Sequence, residues 1–138
     1  MREYFINTLC HYVFCKANYN GDVEICVAGH NPPLIIRKSG IVPINANSIP
    51  IGLFFESEYE PVNIKLQKDD SLLLYTDGLT EASVNEVEYG EERLKTQLTK
   101  SSNLAAPKMI DEILIDHKNF LKDSPQSDDI TIAVIKKI

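Results

Sequence analysis

The segment Ser71-Leu72-Leu73-Leu74-Tyr75-Thr76-Asp77-Gly78 decides the fold. An apolar triplet without alternation reads as a central strand buried on both faces, and an acid stands where that strand ends. A second acidic signature, Ser127-Asp128-Asp129-Ile130-Thr131, opens the last apolar run, Ile132-Ala133-Val134-Ile135. Each places carboxylates where a buried strand meets a loop. From there a rigid scaffold can aim oxygen ligands at a hard cation. If the two strand ends lie side by side, Asp77 and Asp128 can share one metal ion.

Upstream of this segment the chain reads as strands. Residues 4–17 are rich in aromatic, β-branched and Cys residues. Asn20-Gly21 signals a hairpin, with Asp22 at its tip, and Val23 to Val27 returns as a strand. Ala28-Gly29-His30-Asn31-Pro32-Pro33 breaks the pattern before Leu34-Ile35-Ile36, and Lys38-Ser39-Gly40 turns into a strand from Ile41 to Ile44. Residues 45–58 are loop-like, 59–66 partly alternating, and Gln67-Lys68-Asp69-Asp70 is a solvated polar turn.

Downstream the character changes. Leu79 to Val84 is expected to form a short helix, and Gly90 to Leu98 a second, with Leu94 and Leu98 four apart. A third carries Pro107 in its first turn and an apolar stripe of Ile110, Ile113, Leu114, His117, Phe120 and Leu121. Asp123-Ser124-Pro125 ends it, and Ile130 to Ile138 forms the last strand. Strands, then helices, then a strand define an α+β domain, taken as one unit over residues 1–138.

Composition narrows the function. The chain has 138 residues, 43% apolar and 25% charged, an ordinary globular balance. A net charge of -6 without a basic block disfavours a nucleic-acid surface. No apolar run approaches the roughly 20 residues of a membrane span, and Met1-Arg2-Glu3-Tyr4 does not read as a signal peptide. Cys10, Cys15 and Cys26 lack metal-site spacing and read as reduced, buried, structural thiols of a cytoplasmic protein.

Spacing alone leaves the site open. Asp77-Gly78 suits a hairpin turn as well as a ligand, and Asp128-Asp129 suits a solvated helix-to-strand turn better than a ligand pair. His30 reads as loop architecture, and His117 as core or edge. His11, inside the first predicted strand, carries no signal.

Order adds what spacing lacks. Ala28-Gly29-His30-Asn31-Pro32-Pro33-Leu34, Ile51-Gly52-Leu53, Leu72 to Ala82, Tyr89-Gly90-Glu91-Glu92-Arg93-Leu94 and Gln126 to Thr131 follow one another along nearly the whole chain. Any one is weak, and the ordered set is specific. The sequence resembles the bacterial serine phosphatases of the stage II sporulation protein E type, within the metal-dependent protein phosphatase (PPM, type 2C) superfamily. The resemblance implies an α/β/β/α sandwich and hydrolysis of phosphoserine or phosphothreonine on proteins. It implies two Mn²⁺ or Mg²⁺ ions, with Asp77 and Asp128 as ligands, Asp129 as an auxiliary group, and Gly78 as the point where backbone approaches the site. Glu81 is expected to orient the adjacent turn or cap its helix, and Ala28 to Pro33 to form a structural loop. No residue is assigned a catalytic role of its own. The implied substrate is a phosphorylated protein, such as an anti-anti-sigma factor of a partner-switching circuit. A phosphatase-shaped interaction domain without catalysis is the other reading.

One family signature is missing. The resemblance calls for an early Gly-Asp-x-Ser-Gly-x-Gly segment whose Asp bridges both metals, and Gly21-Asp22-Val23-Glu24 lacks its glycines and its place. The chain therefore reads as the C-terminal part of such a domain, short of its N-terminal portion by about a hundred residues. Weak metal binding, little turnover by this chain alone, and homodimers through exposed strand edges are expected.

Overall fold

The computed structural model describes residues 10–46, 49–52 and 58–138. In chain order its strands are β1 (Tyr12–Ala17), β2 (Asp22–Ala28), β3 (Leu34–Arg37), β4 (Gly40–Pro43), β5 (Val62–Lys65), β6 (Ser71–Tyr75), β7 (Ser83–Val84), β8 (Val87–Glu88) and β9 (Ile132–Lys136). The helices are α1 (Glu91–Ser101) and α2 (Ala106–Leu121), and a single 3₁₀ turn spans Asp77–Leu79. The chain divides into two compact units, residues 1–30 with 45–65 and residues 31–44 with 66–138. The predicted strand over residues 4–17 is seen from Tyr12; its first residues, and Leu53 of the Ile51-Gly52-Leu53 motif, lie outside the described residues.

In the first unit β1, β2 and β5 form an antiparallel sheet in that order. Val23, Ile25 and Val27 are buried, while Asp22, Glu24 and Cys26 alternate outward, the period-2 pattern of a strand with one packed face. Asp22 begins β2 and pairs in register with Lys65, whose ammonium reaches its carboxylate at 2.6 Å. That hydrogen bond, then one from Asn20, lowers the Asp22 pKa. The acid is thus a strand-end ion pair, in keeping with a structural role at the hairpin. Gly29 has φ 62°, and a Cβ there would stand 2.6 Å from Pro50 Cγ, so the Ala-Gly-His stretch needs glycine for both backbone and space. The cysteines correct the expectation of burial: Cys10 is exposed, Cys15 and Cys26 are half-buried, and all are free thiols. Cys15 lies on β1, at the end of the described sheet, where Tyr12 and Phe14 are also exposed, while Cys26 sits on the outward-alternating face of the middle strand β2. His11 lies just before β1 and is exposed.

The second unit carries an antiparallel sheet in the order β4-β3-β6-β9. β6 is internal, with Leu72 and Leu73 fully buried, as the unalternated triplet requires. Leu34 and Ile36 of β3 join Leu73 and Tyr75 of β6 in one core with Leu94 and Leu98 of α1 and Met109, Ile113 and Leu121 of α2. Fully burying each such side chain is worth about 1.5–3 kcal/mol. Glu91 and Glu92 open α1, where negative charge favours the helix dipole. Pro107 sits in the first turn of α2, where its missing N–H costs nothing. The buried face of α2 runs through Met109, Ile113, His117 and Leu121. The predicted stripe is thus rotated by part of a turn, and Leu114 faces outward at 43% exposure. Lys136 of β9 donates to the carbonyls of Ser102 (2.6 Å) and Leu104 (2.8 Å), capping the end of α1.

Three further expectations are corrected. Asp70 is buried, not solvated: Arg37 Nε lies 3.2 Å from its carboxylate, which also accepts from the Gln67 amide at 2.9 Å. Residues 79–84 are not a helix. The 3₁₀ turn stops at Leu79, and β7 and β8 form a tiny hairpin through Asn85 and Glu86, both at positive φ (52° and 66°). The last strand is shorter than Ile130 to Ile138, because Thr131 bonds to Thr76 outside the ladder.

Candidate metal centre

The antiparallel pairing of β6 with β9 brings the end of one against the start of the other, Tyr75 opposite Ile132. One step beyond, the Thr76 amide donates to the Thr131 carbonyl at 3.1 Å. The Thr76 hydroxyl donates to the Asp129 carbonyl at 3.1 Å and accepts from the Thr131 amide at 2.9 Å. The chain then closes its 3₁₀ turn: the Leu79 amide reaches the Thr76 carbonyl, and the Thr80 and Glu81 amides reach the Asp77 carbonyl.

Gly78 closes the distance between the two acidic segments. A Cβ on it would overlap the Asp129 carbonyl oxygen and stand 3.1 Å from the Asp129 carbonyl carbon and 3.3 Å from that of Asp128. The backbones of Asp77-Gly78 and Asp128-Asp129 therefore touch, the juxtaposition a shared ion would need. Asp77 is half-buried and Asp128 exposed. Asp77 Oδ1 accepts from the Gly78 amide at 2.9 Å, and Asp128 Oδ1 from the Asp129 amide at 2.7 Å. Gln126 steadies the approach by donating to the Asp128 carbonyl at 2.6 Å. Glu81 is exposed, with no helix of its own to cap. Among the described residues no group of three or more His, Cys, Asp or Glu side chains is arranged to hold a metal ion. Two carboxylates with water completing the shell nevertheless fit Mg²⁺, which keeps several waters and takes one or two carboxylates.

The far side of the turn is held by α1 and α2. The Gly90 amide reaches the Thr80 carbonyl (2.9 Å) and the Tyr89 amide the Ala82 carbonyl (2.7 Å). The Tyr89 hydroxyl donates to Asp116 Oδ2 at 2.9 Å, and Arg93 binds both oxygens of Asp116, at 2.8 and 3.1 Å. The Arg93 guanidinium also lies 5.3 Å from the Tyr89 ring centre and 5.0 Å from that of Phe120. The Arg93 hydrogen bond holds the Asp116 carboxyl below its ordinary range, and burial, then Asp116, pushes the Tyr89 hydroxyl up. His117 is buried against Tyr89, and burial lowers its pKa. Burial likewise pushes Tyr75 up to about 12. Sequence reading missed Thr76, Tyr89 and Asp116 as supports of the turn, since each acts through a partner remote in sequence.

This arrangement is a phosphatase-type α+β fold with paired acids at one sheet end. The chain has a TM-score of 0.72 against the Mn-presoaked phosphatase domain of the cell-fate determinant SpoIIE from Bacillus subtilis, at 17% identity, covering 91% of this chain and 56% of that one. The SiaA-PP2C domain of Pseudomonas aeruginosa also gives 0.72, at 17% identity, over 84% of this chain and 46% of that one. In sequence, protein IcfG of Synechocystis sp. is 29% identical over 118 residues, 84% of this chain and 18% of the relative. Stage II sporulation protein E of Bacillus subtilis is 26% identical over 108 residues, 78% of this chain and 13% of the relative. The chain thus spans less than a fifth of these relatives and about half of the solved domains. The model of the stage II sporulation protein E (SpoIIE) family matches residues 4–137, and the chain belongs to that family.

Proposed function

We propose that this chain serves a Mn²⁺- or Mg²⁺-dependent protein serine/threonine phosphatase of bacterial signalling. Asp77 and Asp128 are its metal ligands, Asp129 is an auxiliary group, and Gly78 admits the Asp128-Asp129 backbone that precedes β9. The observation that carries the reading is the contact of Gly78 with the Asp128-Asp129 backbone, within a family match over residues 4–137. Hard cations, when bound, deprotonate water and neutralise phosphoryl oxygens, the two needs of phosphate-monoester hydrolysis. The chain's own part is to fix two oxygen donors on one sheet end: each Asp carboxylate is oriented by the amide that follows it. A Mn-presoaked SpoIIE domain and RsbX in complex with magnesium are among the solved relatives, which supports the choice of ion. The substrate is a phosphorylated protein, with an anti-anti-sigma factor the leading class, in the cytoplasm.

Calorimetric titration of Mn²⁺ into the chain and into Asp77→Asn tests the ligand assignment. Binding by the first that disappears in the second supports it, and equal isotherms reject it. We expect weak affinity and little turnover from this chain alone, because two acids make an incomplete two-metal site. That same incompleteness among the described residues favours a second reading, a phosphatase-shaped surface that binds a regulator without hydrolysing it. Phosphate release from a phosphoserine protein separates the two.

A further inference from the structure

We infer that Thr76 is a positioning residue, whose hydroxyl locks the turn bearing Asp77 to the strand entry bearing Asp128 and so sets the spacing of the two carboxylates. The inference rests on the proposed metal site. Its basis is an exchange of hydrogen-bond partners at the end of the ladder. With Tyr75 opposite Ile132, the next pair is Thr76 and Thr131. An ordinary antiparallel pair of this kind exchanges both backbone bonds. Here only one is present, from the Thr76 amide to the Thr131 carbonyl. The Thr131 amide goes instead to the Thr76 hydroxyl, at 2.9 Å.

The substitution releases the Thr76 carbonyl, which accepts from the Leu79 amide and closes the 3₁₀ turn that presents Asp77. The hydroxyl's own proton goes to the Asp129 carbonyl at 3.1 Å, the same carbonyl that lies against Gly78. A hydroxyl has one proton to donate and lone pairs to accept with, so one oxygen can do both. Thr76 therefore lets the ladder end and the turn begin at a single residue. Valine has the same shape and strand preference but leaves the Thr131 amide and the Asp129 carbonyl without this partner. Serine retains both bonds.

The test compares wild type, Thr76→Val, Thr76→Ser and Asp77→Asn by Mn²⁺ calorimetry and by amide hydrogen exchange at Thr131, with urea unfolding run in parallel. Thr76→Val is expected to speed Thr131 exchange and to weaken Mn²⁺ affinity, each by about 10-fold, the scale of one lost hydrogen bond to a group left unsatisfied. Thr76→Ser is expected to stay within about 3-fold of wild type in both. A residue with a merely structural role would lower urea stability and leave Mn²⁺ affinity unmoved. Wild-type affinity in Thr76→Val, or equal loss in Thr76→Ser, overturns the inference while loss in Asp77→Asn still upholds the site. An unprotected Thr131 amide in wild type overturns it even where Thr76→Val does not fold. Mn²⁺ binding indifferent to Asp77→Asn, or absent in wild type, overturns the site and the inference together.

Discussion

Gly78 and Asp129 meet backbone to backbone, so closely that a methyl group on Gly78 would overlap the Asp129 carbonyl oxygen. Gly78 is not at positive φ, so the constraint is space rather than conformation. The two neighbours in contact are main-chain atoms and cannot rotate away. We predict that Gly78→Ala pushes the Asp128-Asp129 segment off the turn. The expected cost is about 1–3 kcal/mol of stability, the usual scale of overpacking. Mn²⁺ affinity should fall by more than that stability loss implies, since the carboxylate spacing changes directly. Urea unfolding and calorimetry on the same variant check both.

His117 should make stability depend on pH. Its folded pKa is lowered, first by burial, while the Asp116 charge and then the Leu79 backbone pull the other way. Unfolded, the imidazole binds a proton near pH 6.5. As pH falls from that value through the lowered folded pKa, the unfolded state binds more protons than the folded one, and stability is lost. Above it both states are neutral and the contribution is constant. Urea midpoints at pH 7.5 and 5.5 should differ in wild type, and the difference should shrink in His117→Gln. An undiminished pH dependence in the variant would assign the effect to other groups.

The cluster of Tyr89, Arg93 and Asp116 acts in the same sense, but in the more acidic carboxylate range. Asp116 is held below its usual range, chiefly by Arg93 and then by Tyr89. Its contribution is present above the unfolded carboxylate pKa and is lost as pH falls through the lower folded value. Asp116→Ala removes an acceptor shared by three donors, one of them the hydroxyl of buried Tyr89. We expect a loss of about 1–3 kcal/mol in urea at pH 7. Tyr89→Phe, which removes one bond and keeps the ring against His117 and Phe120, should cost about 1 kcal/mol. By contrast, Glu92→Gln on the exposed face of α1 should change stability by less than about 0.5 kcal/mol, since its bridge to Lys95 is solvated.

What was legible in the sequence follows from the range of each interaction. β6 could be read because Leu72, Leu73 and Leu74 report burial by composition, and the two helices because their apolar spacing is local. The juxtaposition of Asp77 with Asp128 could be framed as a condition, since both stand at strand ends, but the pairing of those strands is not written in either segment. The β7–β8 hairpin was hidden. Its strands are too short for periodicity, and its turn uses Asn85-Glu86, with Glu86 at positive φ where glycine is the usual signal. Asp70 looked solvated because its partner Arg37 lies on another strand. Thr76 carried no visible role, because both partners of its hydroxyl are more than fifty residues away in sequence.

The core beneath the site sets a last expectation. Leu73 is fully buried, opposite Leu34 on one side and Val134 on the other. It packs in the same cluster as Tyr75 and Leu79, which flank the Asp77 turn on the chain. Leu73→Ala should cost about 2–5 kcal/mol, because helices and strands on several sides limit collapse into the gap. Were the turn held by its own hydrogen bonds, Mn²⁺ affinity measured well below the unfolding midpoint would stay near wild type. Were the turn slack, affinity would fall with stability. The hydrogen bonds at Thr76, Thr80 and Ala82 hold the turn independently of Leu73 packing, so we expect the first result: a lower urea midpoint with Mn²⁺ affinity within about 3-fold of wild type.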